Sequence, residues 1–195
     1  MPDASPRPNP DEVYWDTCTS ENHKNCIGVQ LTPGGPCLTH ASDEHRDLAL
    51  AIFHAGANLD ATRGCEITPE LLEAVLACAP RYPDGQPVLT GVDLTRAVIS
   101  GDALLDGVTF SGDTHFDGAT FTGDTDFDGA TFTGDAYFDG ATFSGYASFG
   151  EATFSGCAYF GEATFTGYAS FGEATFSGYA SFGEATFSGY ANFGE

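Results

Sequence analysis

Four side chains able to hold a metal crowd into one short stretch of this 195-residue chain, spaced Cys18-x7-Cys26-x10-Cys37-x2-His40. Thiolate and imidazole are the donors with which zinc closes a tetrahedron, and a segment this small can fold around the ion. His23 is the alternate donor to His40. One structural zinc is the reading taken, with reduced packing cysteines and a disulfide pairing as the alternatives. A catalytic zinc is not expected, because no acid or base motif accompanies the cluster. Cys65, Cys78 and Cys157 read as buried small apolar residues. The chain contains no G-x-S-x-G, P-loop or Rossmann fingerprint and no zincin spacing. It does not read as an enzyme.

Other reactive side chains recur at fixed intervals. The acids are Asp113, Asp117, Asp124, Asp128, Asp135, Asp139, Glu151, Glu162, Glu173 and Glu184, and the tyrosines are Tyr146, Tyr168, Tyr179 and Tyr190. Clustered carboxylates attract hard cations such as calcium, although no calcium-loop signature is present. Tyrosine is enriched at interfaces. Hydroxyl pairs flank alternate phenylalanines, as in Thr120/Thr122 and Thr153/Ser155. These sets read as a binding surface for a partner.

The charge narrows the partner. The formal net charge is −22, all six Lys and Arg precede Ala97, and fourteen Asp or Glu follow it. Such a surface repels nucleic acid and anionic membranes, so neither is an expected ligand, whereas a basic protein surface is. No stretch is apolar enough to span a bilayer, and the Pro-rich acidic start lacks the pattern of a signal peptide. The expected location is the cytoplasm.

What must position these residues is a repeat. Phe110, Phe116, Phe121, Phe127, Phe132, Phe138, Phe143, Phe149, Phe154, Phe160, Phe165, Phe171, Phe176, Phe182, Phe187 and Phe193 alternate at steps of 6 and 5. On a helix those steps place successive rings about 120° apart, off any single stripe. Each Gly in the unit would also cost a helix roughly 1 kcal/mol. Strands fit: Ala and Phe point one way, Thr and Ser the other, and glycine allows sharp corners. A coil of 22 residues with four faces encloses four Phe, stacked on those of the next coil as the core. Ahead of it, helices are expected at about 43–55 and 69–79, the second with Thr68 as N-cap, Pro69 at N1 and Pro80 as stop.

The units Val92-Asp93-Leu94-Thr95-Arg96, Ala97-Val98-Ile99-Ser100-Gly101 and Ala119-Thr120-Phe121-Thr122-Gly123 resemble the pentapeptide-repeat proteins, and the resemblance runs over 87–195. It implies a mainly β fold, a right-handed, four-sided β-helix (solenoid). Every second unit departs from the pattern by one extra residue, Asp113, Asp124, Asp135, Tyr146, Cys157, Tyr168, Tyr179 or Tyr190, which should bulge two of the four corners. The expected organisation is a disordered tail over 1–14, a Cys/His and two-helix capping module over 15–86, and the solenoid.

The function this implies is a non-enzymatic scaffold presenting an acidic β-helical surface to a protein partner, with a monomer or an end-to-end homodimer as the expected assembly. The family includes bacterial proteins that act on DNA gyrase by mimicking DNA, which implies a topoisomerase regulator as the alternative. Fourteen acids over some 4.5 coils amount to about one charge per 1.5 Å, close to the roughly 1.7 Å of DNA. The hydroxyl ladders look like those of β-solenoid antifreeze proteins, so ice binding is a third reading.

Overall fold

The computed structural model describes residues 64–194. The tail 1–14, the cluster of Cys18, Cys26, Cys37 and His40 with its alternate His23, and the first expected helix lie outside the described residues.

The alternation of apolar residues becomes, among the described residues, twenty short strands in four sheets, each sheet a face of the coil. Face I stacks Glu66–Ile67, Val98–Ile99, Thr120–Phe121, Thr142–Phe143, Thr164–Phe165 and Thr186–Phe187. Face II stacks Ala103–Leu104, Thr125–Asp126, Ala147–Ser148, Ala169–Ser170 and Ala191–Asn192. Face III stacks Val88–Thr90, Thr109–Ser111, Thr131–Phe132, Thr153–Phe154 and Thr175–Phe176. Face IV stacks Thr114–His115, Ala136–Tyr137, Ala158–Tyr159 and Ala180–Ser181. The chain visits the faces in that order, and all strand pairs are parallel. Thr142 lies beside Thr164 and Phe143 beside Phe165, a register of 22 residues. In the first coil Leu89 pairs with Phe110, one residue fewer, because the extra residue first enters at Asp102.

Each face contributes one column of rings. Phe110, Phe132 and Phe154 stack with centroids 4.7 Å apart and nearly parallel planes. Neighbours across the two enlarged corners meet edge to face, as Phe110 and Phe116 do at 78°, and those across the other two are tilted, as Phe116 and Phe121 are at 48°. The stacked and edge-to-face arrangements suit the ring quadrupole. The rings from Phe110 to Phe171 are buried. Phe176, Phe182 and Phe187 are only partly buried, and Phe193, expected in the core, is 54% exposed. These four belong to the last described coil, on which no described residue stacks.

The extra residue falls at two diagonal corners, I to II and III to IV. From Gly123 onward the Gly before it is required by close approach, whereas Gly112 meets no atom within 4 Å and sits at φ 81°. A methyl on Gly145 would sit 2.5 Å from the Gly123 carbonyl oxygen one coil earlier. The other two corners are tight turns closed by bonds such as Ala130 N–H to Phe127 O, 3.0 Å. They place one residue in the left-handed region: Gly129 at φ 64°, but Glu151 at 55° in the next coil of the same corner.

At the N-terminal end, helix α1, Pro69–Cys78, lies on the first coil. Thr68 caps it by accepting the Leu71 amide at 3.3 Å, and Pro69 occupies its first turn, as expected. Leu71, Leu72 and Val75 are buried, and Leu72 and Val75 face Leu89, Leu94, Ile99 and Leu105 across a cavity of about 30 Å³. Cys65 is buried and Cys78 packs against this core half-buried. Face I begins before α1, at Glu66–Ile67, so the helix interrupts the path into the first coil rather than preceding it.

The two kinds of glycine should respond differently to substitution. Gly145→Ala must separate two coils and should cost about 3 kcal/mol. Gly129→Ala meets no atom within 4 Å and should cost about 1 kcal/mol for its backbone alone. Asn, which tolerates the left-handed region, should recover stability at 129 but not at 145. Urea midpoints of the four variants are the check.

Candidate functional site

Alternation along each strand decides which side chains leave the coil. On faces II and IV the outward residues come in threes: the extra corner residue, the middle of the strand, and the residue after Phe. The first two rows of face II are Asp102, Leu104, Asp106 and Asp124, Asp126, Asp128. The corresponding rows of face IV are Asp113, His115, Asp117 and Asp135, Tyr137, Asp139. Later rows lose the acids, becoming Tyr146, Ser148, Gly150 and Cys157, Tyr159, Gly161. Faces I and III carry Thr and Ser in the equivalent places. The acids expected at a binding surface are thus brought together by two faces, and Asp102, Asp106 and Asp126 join them. Glu151, Glu162, Glu173 and Glu184 stand apart, one at each successive tight corner.

The carboxylates are not turned toward one another. An extra residue at a corner leaves its amide without a ladder carbonyl, and the aspartate one coil earlier supplies the acceptor. Asp102 Oδ1 accepts from Asp124 N at 3.0 Å, and Asp124 Oδ1 from Tyr146 N at 2.8 Å. At the other corner Asp113 accepts from Asp135 N at 3.0 Å, and Asp135 from Cys157 N at 2.7 Å. Asp128 takes the Gly150 amide at 2.7 Å and the Ser148 hydroxyl, and Asp139 takes the Gly161 amide at 2.7 Å. Among the described residues no group of three or more His, Cys, Asp and Glu is placed to hold a metal ion. The calcium ladder is therefore replaced by a ladder of carboxylate–amide bonds.

Where tyrosine takes the corner, rings stack instead: Tyr146, Tyr168 and Tyr190 follow one another at 5.2 and 5.3 Å. Tyr179 belongs to the other corner, where it tilts against Tyr159 at 6.3 Å. Face IV has a second aromatic column that the sequence reading missed. His115 stacks on Tyr137 at 4.7 Å, and Tyr137 on Tyr159 at 5.0 Å. The signal was present in the sequence, since these residues recur at 22-residue intervals. Cys157 is half-buried on this face, not in the core as expected, because its corner position points outward. The Tyr159 phenol is pushed up to about 12, chiefly by its hydrogen bond with Cys157.

Burial also raises two carboxyls. Asp117 lies above the usual range because of burial, opposed by its bond to His115, whose Nδ1 is 3.4 Å away. Asp126 is raised first by burial and further by the charges of Asp128 and Asp106, against the Asp128 amide it accepts. The hydroxyl ladders are partly committed to the coil. Thr122 Oγ1 accepts from Gly101 N at 3.0 Å and donates to Ile99 O at 3.3 Å, and Thr133 does the same with Gly112 and Phe110. A groove of about 460 Å³ between α1 and face II is lined by Leu72, Leu76, Leu104, Glu73, Arg81 and Asp102 and holds no catalytic cluster. No described helix is long and apolar enough to cross a membrane.

A four-sided parallel solenoid with side-chain ladders at two of its corners defines a class of repeat-built proteins. A family model described as "Pentapeptide repeats (9 copies)" matches residues 86–130, 105–153 and 149–195, together more than half of the chain. The chain belongs to the pentapeptide-repeat family. No curated protein and no solved structure matches it.

The raised carboxyls give a pH dependence of definite sign. A carboxyl whose folded value exceeds its unfolded one binds its proton more tightly in the folded state, so stability rises as pH falls through that interval. Asp126→Asn keeps the acceptor for the Asp128 amide and removes the charge. It should be more stable than the parent at neutral pH, and the difference should shrink as pH falls through the carboxylate range, read from melting curves across that range.

Proposed function

We propose that the protein is a non-enzymatic scaffold that captures a partner with a basic surface on the acidic rows of faces II and IV. The supporting observation is segregation. Nine aspartates between Asp102 and Asp139 stand in rows on these two faces, while the faces between them carry hydroxyls. Side chains held by coil-to-coil bonds lose little further freedom when a partner arrives, which favours binding. Except at Asp135, whose Oδ2 accepts from the Tyr137 hydroxyl at 3.3 Å, their second carboxylate oxygens remain for Lys or Arg.

Mimicry of DNA toward gyrase draws support from the total acid count but not from its distribution. A DNA-like line of charge should be even, and here nine acids fill fewer than two coils while single glutamates follow at 11-residue intervals. Ice binding needs free, outward hydroxyls, and those of Thr122, Thr133 and Thr166 bond to backbone carbonyls. Cytoplasmic placement, the zinc of the Cys18 segment and pairing of solenoid ends remain parts of the proposal that rest on sequence.

The test is binding of an arginine-rich peptide at two salt concentrations, beside a supercoiling assay with DNA gyrase. Affinity should fall about tenfold or more over a fourfold rise in salt. It should fall similarly when Asp113, Asp117, Asp135 and Asp139 become Asn, while Glu151→Gln and Glu162→Gln should change it little. Equal loss from the glutamate variants, together with salt-sensitive inhibition of gyrase, would transfer the assignment to DNA mimicry.

A further inference from the structure

The chain contains five Asp-Gly pairs, at 84–85, 106–107, 117–118, 128–129 and 139–140. Among aspartyl dipeptides Asp-Gly is the most prone to rearrange through a cyclic imide, because glycine has no side chain to shield its amide nitrogen. The solenoid holds four of the pairs in a form that resists this. The amides of Gly107, Gly118, Gly129 and Gly140 each donate to a carbonyl of the next coil at 2.7–2.8 Å. The carboxylates of Asp128 and Asp139 are drawn to amides of that next coil, away from their own glycines, and Asp117 is paired with His115. Freeing these groups requires two coils to part.

Asp84-Gly85 is different. It lies in the exposed hairpin between α1 and the first coil, where Tyr82-Pro83-Asp84-Gly85 closes through Gly85 N–H to Tyr82 O at 2.9 Å. Gly85 has φ 92° and no heavy atom within 4 Å of where a Cβ would lie. The Asp84 carboxylate curls over its own backbone and accepts from Gln86 N at 3.1 Å, so it lies beside the peptide that would attack it. Opening here breaks one turn, not a coil-to-coil ladder, and local opening of this kind is the least costly in a fold.

We propose that Asp84-Gly85 is a site of spontaneous isoaspartate formation, and that the solenoid protects the other four pairs. The Gly85 amide nitrogen attacks the protonated Asp84 carboxyl. A C–N bond forms, the C–OH bond breaks, and the hydroxyl leaves with the amide proton as water. Water then reopens the five-membered imide. Cleavage at the side-chain carbonyl restores aspartate, and cleavage at the main-chain carbonyl sends the chain through the side-chain carboxyl, with no net change in mass. The added methylene would break the turn and the bond from Arg81 Nη1 to Gly85 O, 2.8 Å, that braces it. The product belongs to the substrate class of methyltransferases that cap isoaspartyl carboxyls.

The full chain would be aged for several weeks at mildly acidic pH, folded and in urea. Isoaspartate is then read by enzymatic methylation with labelled S-adenosylmethionine and placed by fragmentation of peptides. In the folded chain the peptide carrying Asp84 should exceed each of the other four by about tenfold, in urea all five should react comparably, and Asp84→Glu should abolish the folded-state signal. Equal reaction at Asp117, Asp128 or Asp139 in the folded chain overturns the proposal. So does absence of isoaspartate at Asp84 where the urea sample forms it.

Discussion

Every row of this solenoid must lie on the row before it at the spacing of hydrogen-bonded strands, and the rest of the structure follows from that repeat. The backbone ladder and the phenylalanine columns share one period, since rings 4.7 Å apart match strands roughly 4.8 Å apart. A column of stacked rings therefore costs the backbone nothing, and the backbone holds each ring against its neighbour. The same spacing is imposed on whatever points outward. Two carboxylates about 5 Å apart in water repel by about 0.8 kcal/mol. A hydrogen bond from a backbone amide to a charged acceptor contributes about 1.5–3 kcal/mol. The bond wins, and Asp102, Asp124 and Tyr146 stand in one column through it.

The corners show how the same constraint selects residues locally. From Gly123 onward the glycines before the extra residue are required by contact between coils, and those in the left-handed region at the tight turns by backbone conformation. At the tight turns the repeats change from Asp-Gly, as at Asp128-Gly129, to Gly-Glu, as at Gly150-Glu151. The exchange puts glutamate in the left-handed region at φ 55–59°, a cost of about 1–2 kcal/mol at each turn. In return, Gly150 and Gly161 fit over the carboxylates of Asp128 and Asp139, which a side chain would meet within 3 Å. The acidic coils and the tyrosine coils are thus joined where small residues receive the last aspartates.

The proposed binding rests on where alternation and register send the charges. Faces II and IV differ from I and III in their outward residues while their cores are alike, so the surface can vary along the axis without disturbing the phenylalanine columns. His115, Tyr137, Tyr159 and Ser181 succeed one another on the outside of face IV over Phe116, Phe138, Phe160 and Phe182. Binding specificity in such a fold is written in rows, and here the densest rows lie in the coils nearest α1.

The 22-residue coil, its four inward phenylalanines, the helix from Pro69 with its Thr68 cap and the two enlarged corners were legible in the sequence, because periodicity and capping act over a few residues. What the sequence left open was the third dimension of each residue: which partner lies one coil away. Asp124 read as a surface acid, and only stacking shows it accepting the Tyr146 amide. Cys157 read as core by its type, but its register places it outside beside Tyr159. Phe193 matches every other phenylalanine in its local pattern, yet its burial depends on a coil that would cover it. The sequence determined the fold because the period of apolar side chains is a local property. The tertiary structure decided the roles of the acids, the half-buried thiol and the last ring, because neighbours 22 residues apart meet only when the coil closes.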